Sequence, residues 1–510
     1  MKRFCKYICL IVLIACVSCG DFLEEYSQDL TYAKTAADLD EILVGEGYMP
    51  VASKSAMTSL DGEYYFPWLH VLDDDMKEHV YYANATRNSL SAFYTWAPYP
   101  YTNEKNEVVK DNTWERLYKH ISVINVVLEK SKDVTGTPED IARIQGECYF
   151  LRAMYYYYLV NFYAKPYSKE TADTDLGVPV KTTEYIEDKY FSRNTIAEVY
   201  TQMLNDLREA KRLLKGKEKK TIYRANYYAV QAFLSRVYLY MEEYEQVVAA
   251  ADTVLSASYG LLDYNGLTLS TNSWGQVVPV STTYRDSPET IFSQGGNAII
   301  QMMSGDYFQI SDNLIELFRQ NMNDLRLKFC IYEAQYYGAY YKSCKLVDKE
   351  DGMVSSNSLI RLPEVVLNKA EALALLGKDQ EARGELEKLR IKRMVTANYQ
   401  PVNYSGSDLI DFIRDERRRE LCFEGHRWFD LRRYAVNVCH PFTTEILHDK
   451  YEISESSGWS AAYQGTYRLK TYSETPASYV LPIPQHVIEF NRGEMKDNDA
   501  RPEIEVFNNK

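Results

Sequence analysis

The densest run of side chains able to do chemistry is Asp415-Glu416-Arg417-Arg418-Arg419-Glu420-Leu421-Cys422-Phe423-Glu424-Gly425-His426-Arg427-Trp428-Phe429-Asp430-Leu431-Arg432-Arg433. Glu420, Glu424 and His426 are residue types that serve metal or acid–base sites. Their spacing points elsewhere. Glu416/Glu420, Glu420/Glu424 and Asp430/Arg433 fall three or four residues apart on a helix crowded with arginines, the arrangement of an ion-pair network. Gly425 fits the C-terminal cap of that helix, ahead of a second short one. A second cluster, Asp73-Asp74-Asp75 with Glu78 and His79, offers the oxygen ligands calcium takes but lacks the order of acids and glycine in an EF-hand. Solvated or capping acids are the expectation there. No nucleophile elbow, phosphate loop, HExxH or dinucleotide fingerprint occurs, so no catalytic residue, metal or cofactor is assigned.

Aromatic rings are the other resource: the chain holds 45 Tyr, 18 Phe and 6 Trp, 14% of its residues. Trp114 and Trp428 fall in amphipathic helical patterns and read as core. Trp68, Trp96, Trp274 and Trp459 fall in loop-like stretches beside Tyr64-Tyr65, Phe93-Tyr94, Tyr99, Tyr101, Tyr284 and Tyr463. An exposed ring is a platform for the C–H face of a sugar, with nearby polar groups to fix the hydroxyls. Tyr155 to Tyr158 are consecutive in a helix, point all round it, and must be mostly buried.

The first residues are a targeting segment. Lys2, Arg3 and Lys6 precede an apolar run from Tyr7 to Val17, too short to span a bilayer and typical of a secretory leader. Cysteines follow small residues at the cleavage point in Leu13-Ile14-Ala15-Cys16-Val17-Ser18-Cys19-Gly20, which is a lipoprotein pattern; Leu13-Ile14-Ala15 favours Cys16 as the acylated residue. Several acyl chains on one cysteine hold a protein firmly to a membrane. Cys148, Cys330, Cys344, Cys422 and Cys439 are scattered without metal spacing or a disulfide framework. Cys148 and Cys422 read as small buried hydrophobes, and Cys330 with Cys344 is the one pairing left open.

The elements that must position these residues are amphipathic helices. Trp114, Leu117, Ile121, Ile124 and Leu128 share one face, and Pro138-Glu139-Asp140 opens a second helix that runs to about Tyr163. Further pairs are 195–214 with 225–241, 225–241 with 244–256, and 363–376 with 379–395. Small residues alternate with tyrosines at their contacts, the logic of tetratricopeptide-type hairpins. Two stretches, about 47–112 and 260–362, are punctuated by Gly, Pro and Asn and read as loop-rich regions on the scaffold surface. The 510 residues are 46% hydrophobic and 25% charged, with a formal charge of −14; loss of the leader's three cations makes it −17. No basic stripe offsets that charge, which excludes nucleic acid as a partner.

Several segments together resemble the SusD/RagB family of outer-membrane lipoproteins. They are Cys19-Gly-Asp-Phe-Leu-Glu-Glu, Trp114-Glu-Arg-Leu-Tyr-Lys-His-Ile, Tyr149-Phe-Leu-Arg-Ala-Met-Tyr-Tyr-Tyr-Tyr-Leu-Val, Lys369-Ala-Glu-Ala before Gly377, Glu416 to Arg433, and Leu481-Pro-Ile-Pro followed by Asn491 and Asn498. The resemblance spans essentially the whole chain. It implies a leader of residues 1–18, acylation at Cys19 rather than Cys16, an N-terminal segment 19–45 and a SusD-like domain 46–510. The fold it implies is mostly α, a tetratricopeptide-like hairpin scaffold (about 113–256 and 363–433) carrying a loop-rich ligand-binding subdomain. It further implies a surface-exposed, non-enzymatic protein of the outer membrane that captures glycan and passes it to a SusC-like TonB-dependent transporter. By position, its ligand-binding residues map onto Trp96, Tyr99 and Tyr101 and onto Trp274, Tyr284 and Tyr307. Trp68 joins them as a stacking ring, and Arg87, Asn88 and Asp306 as hydroxyl contacts. Capture of peptide by the same kind of lid, and a surface glycosidase built from distant carboxylates, are the alternatives.

Overall fold

The computed structural model describes residues 33–51, 64–79, 85–217, 219–273, 277–304, 307–334, 340–346, 353–453 and 461–508, side chains 85, 86 and 304 excepted. Fifteen α-helices and eleven short strands lie among them. The helices used below are α1 (Ala36–Ile42), α2 (Ala85–Tyr94), α3 (Thr113–Lys130), α4 (Pro138–Tyr163), α5 (Ile196–Leu214), α6 (Tyr227–Tyr240), α7 (Tyr244–Leu255), α8 (Leu362–Leu375), α9 (Asp379–Arg390), α10 (Gly406–Leu421) and α11 (Arg427–Ala435).

Helices α3 to α9 stack in chain order, with α7 bridging to α8 across the hundred residues between them and α10 lying against α8. This is the tetratricopeptide-like array. Helix α4 begins where the sequence places it: the Thr137 hydroxyl accepts the Asp140 N–H, and Pro138 occupies the first turn. Its most extensive partner is α5, which the sequence pairs only with α6; the 32-residue connection hid that contact. At the crossing Gly146 allows close approach, since a Cβ there would stand 2.7 Å from Leu214 Cγ.

The tyrosine run explains itself in α4. Tyr155 to Tyr158 are all buried, and each hydroxyl reaches a different segment: Gly47 O at 2.6 Å, Lys181 O at 2.7 Å, Tyr240 Oη at 3.1 Å and Asn357 O at 2.9 Å. One helix thereby tethers four parts of the chain while satisfying its own buried polar atoms. Residues 33–45, the described part of the N-terminal segment, pack on the body. Helix α1 and the π-turn Leu43–Gly47 run without a break past position 45, and Asp40 pairs with Arg143 at 2.9 Å.

In the first loop-rich region, residues 66–93 include rings that pack in the core against α4 rather than lying on the surface. Trp68 stacks on Phe93 at 5.2 Å and meets Phe162 of α4 at 4.7 Å, while Phe66 contacts Tyr158 at 4.8 Å. Irregular backbone rich in large rings has enough apolar area to form a core of its own against α4. The thiols of Cys330 and Cys344 are free; these residues face each other through a backbone hydrogen bond, Cys344 N–H to Cys330 O, at 2.9 Å. Cys148 and Cys422 are buried as expected. Gly425 does have φ +73°, but the left-handed residue just after α10 is Phe423, at φ 64°.

Candidate ligand-binding surface

The acid-rich helix resolves into structure. Glu416 is bound by Arg326, Arg390 and Arg419 at 2.6, 2.6 and 3.2 Å, and Glu420 by Arg326, Arg361 and Arg393 at 3.1, 3.3 and 2.9 Å. Glu424 takes Arg361 at 2.7 Å, and Asp430 takes Arg417 and Arg433 at 2.7 and 2.8 Å. The arginines around Glu416 and Glu420 hold both carboxyls well below the usual carboxylate range. Burial drives the His426 imidazole well below its ordinary value, so it stays neutral. The network is the one the spacing predicts, but most of its cations come from remote elements rather than from α10 itself.

Asp73, Asp74 and Asp75 are buried rather than solvated. Their oxygens lie within 4.8 Å of one another, and the cations facing them are protein side chains. Arg427 holds Asp74 at 2.7 and 2.9 Å, and Arg418 holds Asp75 at 2.8 Å.

Three of the rings expected to form a stacking platform are internal. Trp68 and Trp96 are both 0% exposed and Tyr101 is 5% exposed. The Trp96 indole N–H donates to Leu72 O at 2.9 Å and its ring stacks on His448 at 4.3 Å; the Tyr101 hydroxyl donates to Pro482 O at 2.9 Å. These side chains have no face to offer a ligand. Arg87 is equally buried and salt-bridges Glu78 at 2.7 Å. Tyr99 is exposed, and Tyr284, Tyr307 and Asn88 are half-buried. Trp274, Asp306 and Trp459 lie outside the described residues.

Part of this set does converge. Antiparallel strands β1 (Met76–Glu78) and β2 (Phe308–Ile310) place Glu78 opposite Phe308. The hairpin β3 (Ile331–Ala334) and β4 (Tyr340–Ser343) lies beside β2, and the hairpin β5 (Ile446–Ile453) and β6 (Ala461–Leu469) beside β1. At their common end the His79 N–H donates to Tyr307 O at 3.0 Å, and its ring meets Tyr340 at 4.2 Å. Tyr451 N–H donates to Glu78 Oε2 at 3.3 Å, and the Tyr451 and Tyr463 rings sit 5.7 Å apart. Lys450 bridges Glu78 at 2.6 Å to Glu104 at 2.5 Å, joining the turn after Tyr101 to the same edge. Glu78 is clamped between Arg87 and Lys450, so the charges of this edge serve as scaffolding. Tyr307, Tyr451 and Tyr463 are half-buried at this edge, whereas the Tyr341 ring and hydroxyl turn to Arg319: partly covered rings, held from behind, suit stacking on C–H faces and hydroxyl contacts.

The chain matches the SusD-like family described as "Starch-binding associating with outer membrane" over residues 21–239, and the SusD family over residues 331–500. It belongs to the SusD family. SusD-like protein P38 of Formosa agariphila is 27% identical over 406 residues, covering 64% of this chain and 73% of that one. A SusD superfamily crystal structure from Bacteroides thetaiotaomicron superposes with TM-score 0.67 at 21% identity, covering 91% of this chain and 99% of the other. A structure titled as a laminarin-binding SusD-like protein superposes with TM-score 0.61 at 20% identity, covering 91% and 99%. In this SusD-family chain no helix among the described residues is long and apolar enough to cross a membrane.

The sequence reading of the SusD-family chain missed His79, Tyr340, Lys450 and Tyr451 as neighbours. Alternation across 446–453 and 461–469, separated by a Ser-Gly stretch, was the available signal for the second hairpin.

Proposed function

We propose that this SusD-family protein is a cell-surface lipoprotein that captures oligosaccharide or polysaccharide and delivers it to a SusC-like TonB-dependent transporter, without catalysing a reaction itself. The observation that carries the reading is the edge where Tyr307, Tyr451 and Tyr463 gather beside the clamped Glu78. It presents rings and hydroxyl groups, the recognition chemistry of neutral sugars. Membership of a family described as starch-binding and associating with the outer membrane supports the same reading. Exposed Tyr99 is a further candidate contact, as are Trp274 and Asp306 from the sequence alone; acylation of Cys19 holds the protein at the membrane, Cys16 being the alternative.

The test is affinity electrophoresis of the mature chain through gels containing starch, laminarin and other polysaccharides. One polymer is expected to retard the protein, and Tyr463→Ala and Tyr307→Ala should each relieve the retardation without lowering Tm. Competition by short peptides in place of glycan, or release of reducing ends from the retarding polymer, would overturn the reading. Cys19→Ala should move the protein from the membrane to the soluble fraction; retention in the membrane would transfer the anchor to Cys16.

A further inference from the structure

A cavity of about 720 Å³ opens beside α10, between its exposed side, the residues just before it and the turn after the helix Asp312–Arg319. Neighbouring residues on α10 point in different directions: Arg418 reaches Asp75 in the layer below the tyrosine edge, while Arg419, about 100° round the helix, lines this cavity. The volume falls in the usual range of small-molecule sites.

Its lining has two halves. Phe412 stacks against Tyr404, with ring centroids 4.8 Å apart and planes tilted 34°, and the Arg390 guanidinium sits 4.8 Å from the Phe412 centroid. Tyr404 is 48% exposed, so one ring is supported from beneath and open above. Asp408 and Asp415, exposed and two turns apart on one face of α10, line the cavity as well, with the side-chain amides of Asn403 and Gln320. Arg390 fixes the rings from within the protein. It is only 6% exposed, its Nη1 is spent on Glu416 at 2.6 Å, and its buried Nε–H has no partner.

The chemistry selects among occupants. A hard cation needs carboxylates that converge, and among the described residues the trio of acids close enough to do so is Asp73, Asp74 and Asp75, not the aspartates of this cavity. An apolar group would leave Asp408, Asp415 and the amides unsatisfied. A neutral sugar uses both halves: a C–H face for the open ring and vicinal hydroxyls for the carboxylates and amides. We propose that this cavity is a second carbohydrate-binding site, which takes one or two neutral sugar residues with Tyr404 as the stacking ring and Asp408 and Asp415 as hydroxyl acceptors.

The experiment measures hydrogen exchange of residues 400–415 in the mature chain with maltotriose, laminaritriose, cellobiose, calcium chloride or a basic peptide added. Protection of this segment by at least one of the saccharides is expected. Tyr404→Ala should weaken that protection by about tenfold in apparent affinity, the scale of one lost stacking contact, at unchanged Tm. Tyr404→Phe should retain it, and Tyr463→Ala should leave it untouched, which separates this site from the tyrosine edge. Failure of every saccharide to protect 400–415, protection by calcium or the peptide instead, or equal protection in Tyr404→Ala would overturn the proposal.

Discussion

Trp96 illustrates how a single residue decides between two roles. Its backbone is left-handed, at φ 50°, a conformation that costs a non-glycine residue of order 1–2 kcal/mol. It is tolerated because the indole is completely enclosed, donates its N–H to Leu72 O and stacks on His448, on which the Tyr94 ring also stacks at 4.1 Å. Trp96→Ala should therefore destabilise the protein by about 3–5 kcal/mol, the range for emptying a buried large ring. Calorimetry should register a Tm several degrees lower, with any loss of glycan retardation following from the damaged layer. An unchanged Tm would return Trp96 to the surface. Sequence could not separate these roles, because proline and tyrosine neighbours accompany tryptophan both in binding loops and in irregular cores. The distinguishing fact is the partner, and His448 lies more than 350 residues away.

At the level of elements, α10 was the most legible part of the chain, and for a physical reason. Acids and arginines at helical spacing cannot all be buried unless they pair, so spacing alone forces a network. What spacing does not reveal is which remote element supplies each partner. Arg326, Arg361 and Arg393 come from three separate segments and meet on Glu420, while Glu289 takes Arg361 and Arg393 at 2.9 and 2.6 Å. Each of these groups is at most 2% exposed at its side chain. Glu420→Gln leaves buried guanidinium charge uncompensated, so it should cost about 3–5 kcal/mol, read as a lower denaturant midpoint at constant slope. Glu209→Gln, which breaks the exposed pair with Arg212, should cost less than about 1 kcal/mol. Similar losses from both substitutions would mean the network contributes specificity alone. The end of α4 follows the same logic in reverse: buried Arg432 donates to the carbonyls of Asn161 and Ala164, and burial lowers its pKa to about 10, so a cation without an acid satisfies the helix terminus.

Across the whole molecule, the scaffold could be read from periodicity because its helices touch their sequence neighbours, whereas the tyrosine edge could not, because it is assembled by contacts such as Glu78 with Lys450, 372 positions apart. The C-terminal motif bridges the two cases. Leu481-Pro-Ile-Pro, Asn491 and Asn498 stand out in the sequence without periodicity, and the structure gives them a common task. Leu481 N–H donates to Phe162 O at 2.9 Å, Asn498 Nδ2 donates to Tyr163 O and Leu481 O at 2.9 and 2.8 Å, and Asn491 Oδ1 accepts the Phe191 N–H at 2.7 Å. Arg193 completes the closure, donating to Tyr163 O and to Asn498 Oδ1 at 2.9 Å each. The chain's last segment thus fastens the end of α4 and the long connection from α4 to α5. Removal of residues 491–510 should leave the helical array intact but release that connection, because its backbone donors and acceptors lose fixed partners to water. Limited proteolysis of the truncated protein should produce new cleavage between positions 165 and 195, with helical circular dichroism largely retained. If that connection stayed protected, the fastening would have to reside in the contacts of Arg193 with Gly177 O and Leu176 O, at 2.6 and 2.9 Å, and Arg193→Ala in the full chain would then expose it.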